Sequence, residues 1–339
     1  MIIGDIDTDR EVLIIAEIGN NHEGSYSLAE ELIGRAAEAG AGAVKFQSII
    51  PEKLASSRDM DRIAQLRRFQ LSLEQMERLK AIADREGVLF LSTPFALKSV
   101  AFLNNLVPAF KVASGDNNFY PLLAAIARTG KPILLSTGMA NLMEIKETVA
   151  FLQSTWNNYD IPPAPLAVLH CVVSYPTPPA GANLLVIRTL HTLGVTVGYS
   201  DHTLGNEAAV LACALGARII EKHFTIDKSY SAYRDHQLSA DPAEFKDMVA
   251  RIKTAQVLLG DGEKRIMECE RESLSKVRRT IVADRHLKVG DIITWKDLNW
   301  VRMGNGLAPG FEESLIGRRV LAAIDEGEAL LPEKLEVVE

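Results

Sequence analysis

The sequence predicts an α/β chain: a (β/α)8 barrel followed by a small β-rich domain. Eight short β-branched runs alternate with segments whose apolar residues recur at three- and four-residue spacing. Glycines fall just after the helical segments, where a left-handed C-cap favours them. Past residue 260 the alternation stops and turn signals take over.

In order, the runs are Val12–Ala16, Ala43–Phe46, Val88–Leu91, Ala109–Val112, Pro132–Leu135, Leu166–Leu169, Thr196–Gly198 and Arg218–Glu221. Helical patterns lie between them, among them Tyr26–Glu38, Leu73–Glu86, Leu142–Gln153 and Glu207–Leu215, and a last one near Pro242–Leu259 closes the series. Ser72 with Gln75 reads as a capping box opening the second. Gly40, Gly87, Gly130, Gly194 and Gly216 each end a helical stretch and lead into the next run. Eight such units within residues 1–260 match a TIM barrel in size and order. A doubly wound open sheet is the competitor, but no G-x-G-x-x-G follows the first strand. Residues 261–275 are charged and read as a linker with a helical turn. Residues 276–339 read as a β-rich domain, with turns at Val289-Gly290-Asp291, Gly304-Asn305-Gly306 and Asp325-Glu326-Gly327.

The chain has 339 residues, a formal net charge of −7 and 47% hydrophobic residues. This excludes a disordered chain, a collagen-like repeat and a disulfide scaffold. No apolar run reaches the roughly 18 residues of a membrane span. The opening MIIGDIDTDREVLII lacks the apolar core of a signal peptide, so a cytoplasmic location and no membrane partner are expected. Cys171, Cys213 and Cys269 are too few and too widely spaced for a framework or a zinc site, and read as reduced thiols. The acidic balance speaks against nucleic-acid binding. It leaves an anionic small substrate open, because a pocket can carry charge opposite to the whole.

Barrel enzymes draw their reactive residues from the C-terminal ends of strands. Here those ends are polar throughout. They carry Glu17 with Asn20, Asn21 and His22; Lys45 and Gln47; Ser92 to Phe95 with Thr93; Lys111, Ser114 and Asp116; Ser136 to Met139; His170, Cys171 and Tyr175; Ser200 and His202; and Glu221 and His223. Taken singly, a strand lysine is most often an ion-pair member, a Ser-Thr-Gly a self-capped turn, and a strand-end histidine as often structural as functional. Together they point further. Lys45 and Lys111 alternate with Val44, Phe46 and Val112, so they point into the barrel mouth. Two buried lysines are expected to need an anion, and the hydroxyls and glycine turns around them suit phosphate oxygens. His202 and His223 end neighbouring strands and offer an open two-histidine site for a divalent ion, manganese first, with magnesium or cobalt as alternatives.

At this point the residues match a family. The chain resembles the sialic acid synthases, which condense phosphoenolpyruvate with an N-acetylated amino sugar. The resemblance runs from Ala16-Glu17-Ile18-Gly19-Asn20-Asn21-His22-Glu23-Gly24 through Val44-Lys45-Phe46-Gln47, Ser92-Thr93-Pro94-Phe95, Lys111-Val112-Ala113-Ser114-Gly115 and Leu135-Ser136-Thr137-Gly138-Met139. It continues through Leu169-His170-Cys171, Tyr175-Pro176-Thr177-Pro178, Gly198-Tyr199-Ser200-Asp201-His202-Thr203 and Glu221-Lys222-His223-Phe224-Thr225. The C-terminal segment resembles the antifreeze-like (SAF) domain that follows the barrel in this family. The resemblance implies phosphoenolpyruvate contacts at Lys45, Thr93, Lys111, Ser114, Ser200 and His202, and metal ligands at His202 and His223. It implies sugar-side residues at Glu17, Gln47, Phe95, Tyr175, Glu221 and Asp235. It also implies a homodimer in which one protomer's SAF domain caps the other's barrel, with Arg302 reaching the sugar.

Three departures stand out. The family's Ser-Gly-Glu after the fourth strand is Ser114-Gly115-Asp116 here. Val172-Val173 follow His170-Cys171 where the family often has Thr-Asn. Ser231-Ala232-Tyr233-Arg234-Asp235 replaces a Pro-Gly-Pro-Asp segment. The reaction class is untouched; the sugar is what these positions affect. The expected product is of the N-acetylneuraminate type. The alternative is the same chemistry on another aldose, of legionaminate, pseudaminate or spore-coat-polysaccharide type. In the implied mechanism Asp116 or Glu221, or a metal-bound water, serves as base. A non-catalytic binding barrel and a Schiff-base aldolase are the remaining readings. The first fits poorly with both histidines and both lysines present, and the second has no use for a cap domain.

Overall fold

The computed structural model describes residues 1–336 and divides into two compact units, Met1–Gly260 and a second beginning at Asp261. The predicted C-terminal boundary, residue 339, lies outside the described residues.

A two-residue-per-strand ribbon, β1 (Ile2–Ile3) and β2 (Ile6–Asp7), comes first. Eight strands then form a closed parallel barrel: β3 (Leu13–Gly19), β4 (Ala43–Ser48), β5 (Leu89–Pro94), β6 (Phe110–Val112), β7 (Ile133–Ser136), β8 (Leu166–Cys171), β9 (Thr196–Asp201) and β10 (Ile219–His223). They lie in sequence order, and β10 pairs with β3 to close the ring. The fold is therefore the predicted TIM barrel. Its strands open with apolar runs because each is covered by helices outside and by opposing strands inside.

The alternation within strands sorts the side chains. Val44, Phe46, Val112, Val168 and Ile220 face the shell of helices. Leu13, Ile15, Leu91, Ala109, Leu134, Leu169 and Ile219 fill the barrel interior, and Ile3 of the opening ribbon packs against them. Towards the C-terminal end the interior changes character and becomes charged: Glu17, Lys45, Lys111 and Glu221 are all buried there.

The helices follow their caps. Ser72 and Gln75 form the predicted capping box on the helix Leu73–Arg85. Asn141 and Glu144 form a second box on Leu142–Asn158, which runs longer than its apolar pattern. Gly40, Gly87, Gly130, Gly194 and Gly216 all adopt positive φ, as a left-handed cap requires.

Three helices in the barrel unit have no counterpart in the sequence reading. They are Pro51–Leu54, Met60–Phe69 and Arg234–Leu238. The middle one hides because half of its residues are polar, with Asp61, Arg62, Arg67 and Arg68 charged. Ile63, Leu66 and Phe69 at three-residue spacing bury its one apolar edge, and Asp59 caps it.

The second unit opens with a 3-10 turn, Glu268–Glu270, and a helix, Arg271–Val277. Helix thus occupies the end of the segment read as linker. β11 (Arg279–Ala283) pairs antiparallel with β12 (Leu298–Arg302). Ile281, Leu287, Ile293, Val320, Ile324 and Leu330 form its own core.

Candidate active site

A cavity of about 320 Å3 opens at the C-terminal end of the barrel. It gathers thirteen of the predicted site residues: Glu17, Lys45, Gln47, Thr93, Phe95, Lys111, Ser114, Tyr175, Ser200, His202, Glu221, His223 and Asp235. Asp116 does not line it; that residue ends the 3-10 turn Ser114–Asp116. Arg302 belongs to the second unit, at the exposed end of β12.

The floor of the cavity is an ion-pair chain. Lys45 Nζ lies 2.7 Å from Glu17 Oε2 and 3.9 Å from Glu221 Oε2. Lys111 Nζ lies 3.4 Å from Glu221 Oε1. Lys45 also donates to Thr93 Oγ1 at 3.1 Å, and Lys111 to Ser136 Oγ at 2.6 Å. Ser200 Oγ donates to Glu221 Oε1 at 2.7 Å. Gln47 donates to Glu17 and accepts from Asn20, which ties the β3 loop to β4.

This arrangement corrects one expectation. The lysines are not unpartnered in the protein alone; carboxylates from β3 and β10 stand against them. Strand register is the reason. Glu17 pairs across to Lys45, and Glu221 to Ser200, which one strand's sequence cannot disclose.

The two carboxyls differ. Burial pushes Glu17 up to about 7, against the pull of Lys45. Burial also opposes charge on Glu221, but Lys111, Lys45 and the Ser200 hydroxyl outweigh it and hold the carboxyl down at about 2. Burial likewise opposes charge on Lys45, but Glu17 and Glu221 hold it above the ordinary lysine value. Lys111 is pulled below that value by burial, only partly offset by Glu221. Two ammonium groups thus face Glu17, at the edge of protonation, and a firmly ionised Glu221.

His202 and His223 face each other with ring centroids 5.4 Å apart, and Tyr175 lies against both. His202 Nδ1 is 2.8 Å from Val172 O. A proton on Nδ1 makes that hydrogen bond and leaves Nε2 with its lone pair free. His223 Nδ1 is buried without a hydrogen-bond partner. Among the described residues no group of three His, Cys, Asp or Glu side chains is placed to hold a metal ion. The two imidazoles are the residues that would offer donors to a divalent ion.

Several lining residues lay outside the predicted set. Asn20, Ser136, Met139, Cys171, Val173, Tyr233 and Arg234 sit at strand ends or in loops already noted as polar or divergent. Arg62 is different. It comes from the helix Met60–Phe69, and no local signal marked it.

Residues 32–264 match the NeuB family, and residues 278–336 match the SAF domain. The chain belongs to the NeuB family. This NeuB-family chain is 37% identical to N,N'-diacetyllegionaminic acid synthase of Campylobacter jejuni, covering 91% of its own length and 96% of that protein. It is 43% identical to an uncharacterized protein of Methanocaldococcus jannaschii, covering 91% and 89%. The crystal structure of N-acetylneuraminic acid synthetase from Leptospira borgpetersenii in complex with citrate superposes with a TM-score of 0.75 at 33% identity, over 80% of this chain and 94% of that one. No helix among the described residues is long and apolar enough to cross a membrane.

Proposed function

We propose that this chain condenses phosphoenolpyruvate with the aldehyde of an open-chain N-acetylated amino sugar, such as N-acetylmannosamine. The product is a nine-carbon 2-keto acid, and phosphate is released. The observation that carries the reading is the pair of buried lysines at the barrel mouth, flanked by Thr93, Ser136 and Ser200, in a chain of this family. Lys45 and Lys111 hold the phosphate and carboxylate of phosphoenolpyruvate, and the hydroxyls satisfy the remaining oxygens.

C3 of phosphoenolpyruvate attacks the aldehyde carbon, whose oxygen takes the π pair and then a proton to become a hydroxyl. Water adds to the cation left at C2 and loses one proton; the C2–O bond then breaks to release phosphate with its bridging oxygen, as the new C2 hydroxyl gives up its proton to leave the keto group. Glu17 is assigned the proton from that water. Its buried carboxyl, pushed up to about 7, supports the role, whereas Glu221 is held ionised between the two lysines. Asp116, the other base implied by the resemblance, is set aside because it does not line the cavity. Glu221 fixes both lysines instead. His202 and His223 are the residues that would hold a divalent ion, which when bound supplies Lewis-acid polarisation of the aldehyde oxygen. The chain itself contributes proximity and preorganised charge, and no covalent intermediate is needed.

The same chemistry on another aldose is the second reading. Tyr233 and Arg234, which replace the family's proline-rich segment, line the cavity beside Asp235 and favour it. The resemblance to a family of dimers also belongs here: exchanged SAF domains, with Arg302 reaching the sugar. Arg302→Ala is then expected to lower turnover while phosphoenolpyruvate affinity holds. The whole reading is tested by phosphate release from phosphoenolpyruvate with manganese and a panel of amino sugars. Release that depends on a sugar supports it; no release with any sugar, in protein that still binds phosphoenolpyruvate, refutes it.

A further inference from the structure

A second cavity, of about 700 Å3, opens beside the first. Arg62, Tyr233 and Arg234 line both, so the two are contiguous. The outer one adds Arg68, Phe69 and Glu23. Three guanidiniums thus face a single carboxylate, in a chain whose net charge is −7.

That carboxylate is already engaged. Glu23 Oε1 accepts from the Ser231 hydroxyl and lies 3.2 Å from His236 Nε2. Arg234 leans over the Tyr175 ring, 4.7 Å from its centroid, with Nε 3.3 Å from Asp235 Oδ1. Arg62 donates to Gln65. Among the described residues no carboxylate lies within ion-pair reach of Arg62 or Arg68. The contrast with Arg67 on the same helix is informative: its guanidinium is taken up by Glu52, at 2.5 Å.

The cavity wall is built rather than incidental. Gly24 has φ +82, and a Cβ there would stand 1.8 Å from Arg68 O, so only glycine lets the helix end seat against the loop after β3. Phe69 and Tyr233 meet with ring centroids 4.9 Å apart, which fixes the same helix to the loop after β10. Three segments of the barrel face are thereby locked around the arginines.

Chemistry limits what can reach them. An acceptor that reacts as an open-chain aldehyde has its carbonyl carbon free of substituents and placed at the lysine–histidine cluster. The primary hydroxyl lies at the far end from that carbon, so a charged ester there is carried away from the cluster and towards the outer cavity. Paired guanidinium forks match the oxygens of a phosphate monoester. We propose that the outer cavity receives a phosphate monoester on the terminal carbon of the acceptor sugar, held by Arg62, Arg68 and Arg234, a placement that rests on the condensation reading above.

The test uses reduced acceptors, which bind without reacting. Affinities of N-acetylmannosaminitol and its 6-phosphate are measured by calorimetry on the full chain. The parent is expected to prefer the phosphate ester at least tenfold. Arg62→Ala and Arg68→Ala are each expected to cut that preference at least fivefold, and both positions are exposed, so the fold is not at stake. Arg67→Ala removes the same charge outside the cavity and is expected to leave the preference intact. Equal binding of the two alditols, or an Arg67→Ala loss as large as that of Arg68→Ala, overturns the proposal. Failure of the condensation reading looks different: no sugar elicits phosphate release from phosphoenolpyruvate, while the arginine-dependent preference persists and still supports an anion site.

Discussion

Replacing Lys111 by methionine isolates one charge in the proposed phosphoenolpyruvate site. Lys111 is 2% exposed, donates to Ser136 Oγ at 2.6 Å and lies 3.4 Å from Glu221 Oε1. Methionine keeps much of the stem's volume and removes the ammonium. Losing one charge-assisted hydrogen bond to the ligand costs about 2 kcal/mol, or roughly thirtyfold in Kd. That figure is a floor. Glu221 remains ionised, with Lys45 at 3.9 Å as its other cation, so an uncompensated negative charge then faces an anionic ligand. Stability is expected to fall, because Glu221 loses its nearer cation, but Lys45 and the Ser200 hydroxyl still engage that carboxylate, so the variant is expected to fold. The assay is calorimetric titration with phosphoenolpyruvate at fixed ionic strength, with the thermal midpoint measured alongside. A Kd within threefold of the parent, in a folded variant, would refute the assignment of Lys111 to the ligand.

Two further outcomes follow from the same geometry. His22 is buried, accepts from Gly24 N through Nδ1 and leaves Nε2 unpaired, and burial lowers its pKa to about 4. The unfolded histidine takes up a proton near pH 6.5, so its neutrality stabilises the fold fully above that pH, and the contribution is lost as pH falls towards 4. His22→Gln is expected to remove about 3 kcal/mol of this acid sensitivity, read as the parent-minus-variant difference in urea unfolding at pH 7 and pH 4; a constant difference contradicts it. Lys222 and Asp201 form a buried pair at 2.6 Å beyond the cavity, and Asp201 also accepts from Tyr199 and Thr203. Lys222→Met is expected to cost about 3–5 kcal/mol in urea unfolding, with part recovered by adding Asp201→Asn; a loss under 1 kcal/mol would mean that water or another group already compensates Asp201.

The barrel was legible because its signals are local. Each strand's apolar alternation, each helix's three- and four-residue spacing and each capping glycine lie within a few residues of one another. The inward aim of Lys45 and Lys111 followed from the same alternation. What was not legible depends on neighbours distant in sequence. The pairing of Glu17 with Lys45 is a matter of register between strands, and the separation of Glu17 from Glu221 in acidity follows from that pairing. Arg62 and Arg68 sit on a polar helix whose single apolar edge is too narrow to announce it. Asp116 is one of the bases that the resemblance implies, while the chain there turns through a 3-10 segment that leaves it off the cavity lining.

Phosphoenolpyruvate labelled with 18O at the bridging oxygen tests the proposed chemistry most directly. Incubated with the enzyme, a divalent ion and an accepted amino sugar, it should place the label in the released phosphate. The product should have the mass of a 2-keto acid three carbons longer than the sugar. Label retained in the organic product, or pyruvate accumulating without any new carbon–carbon bond, would contradict condensation with C–O cleavage.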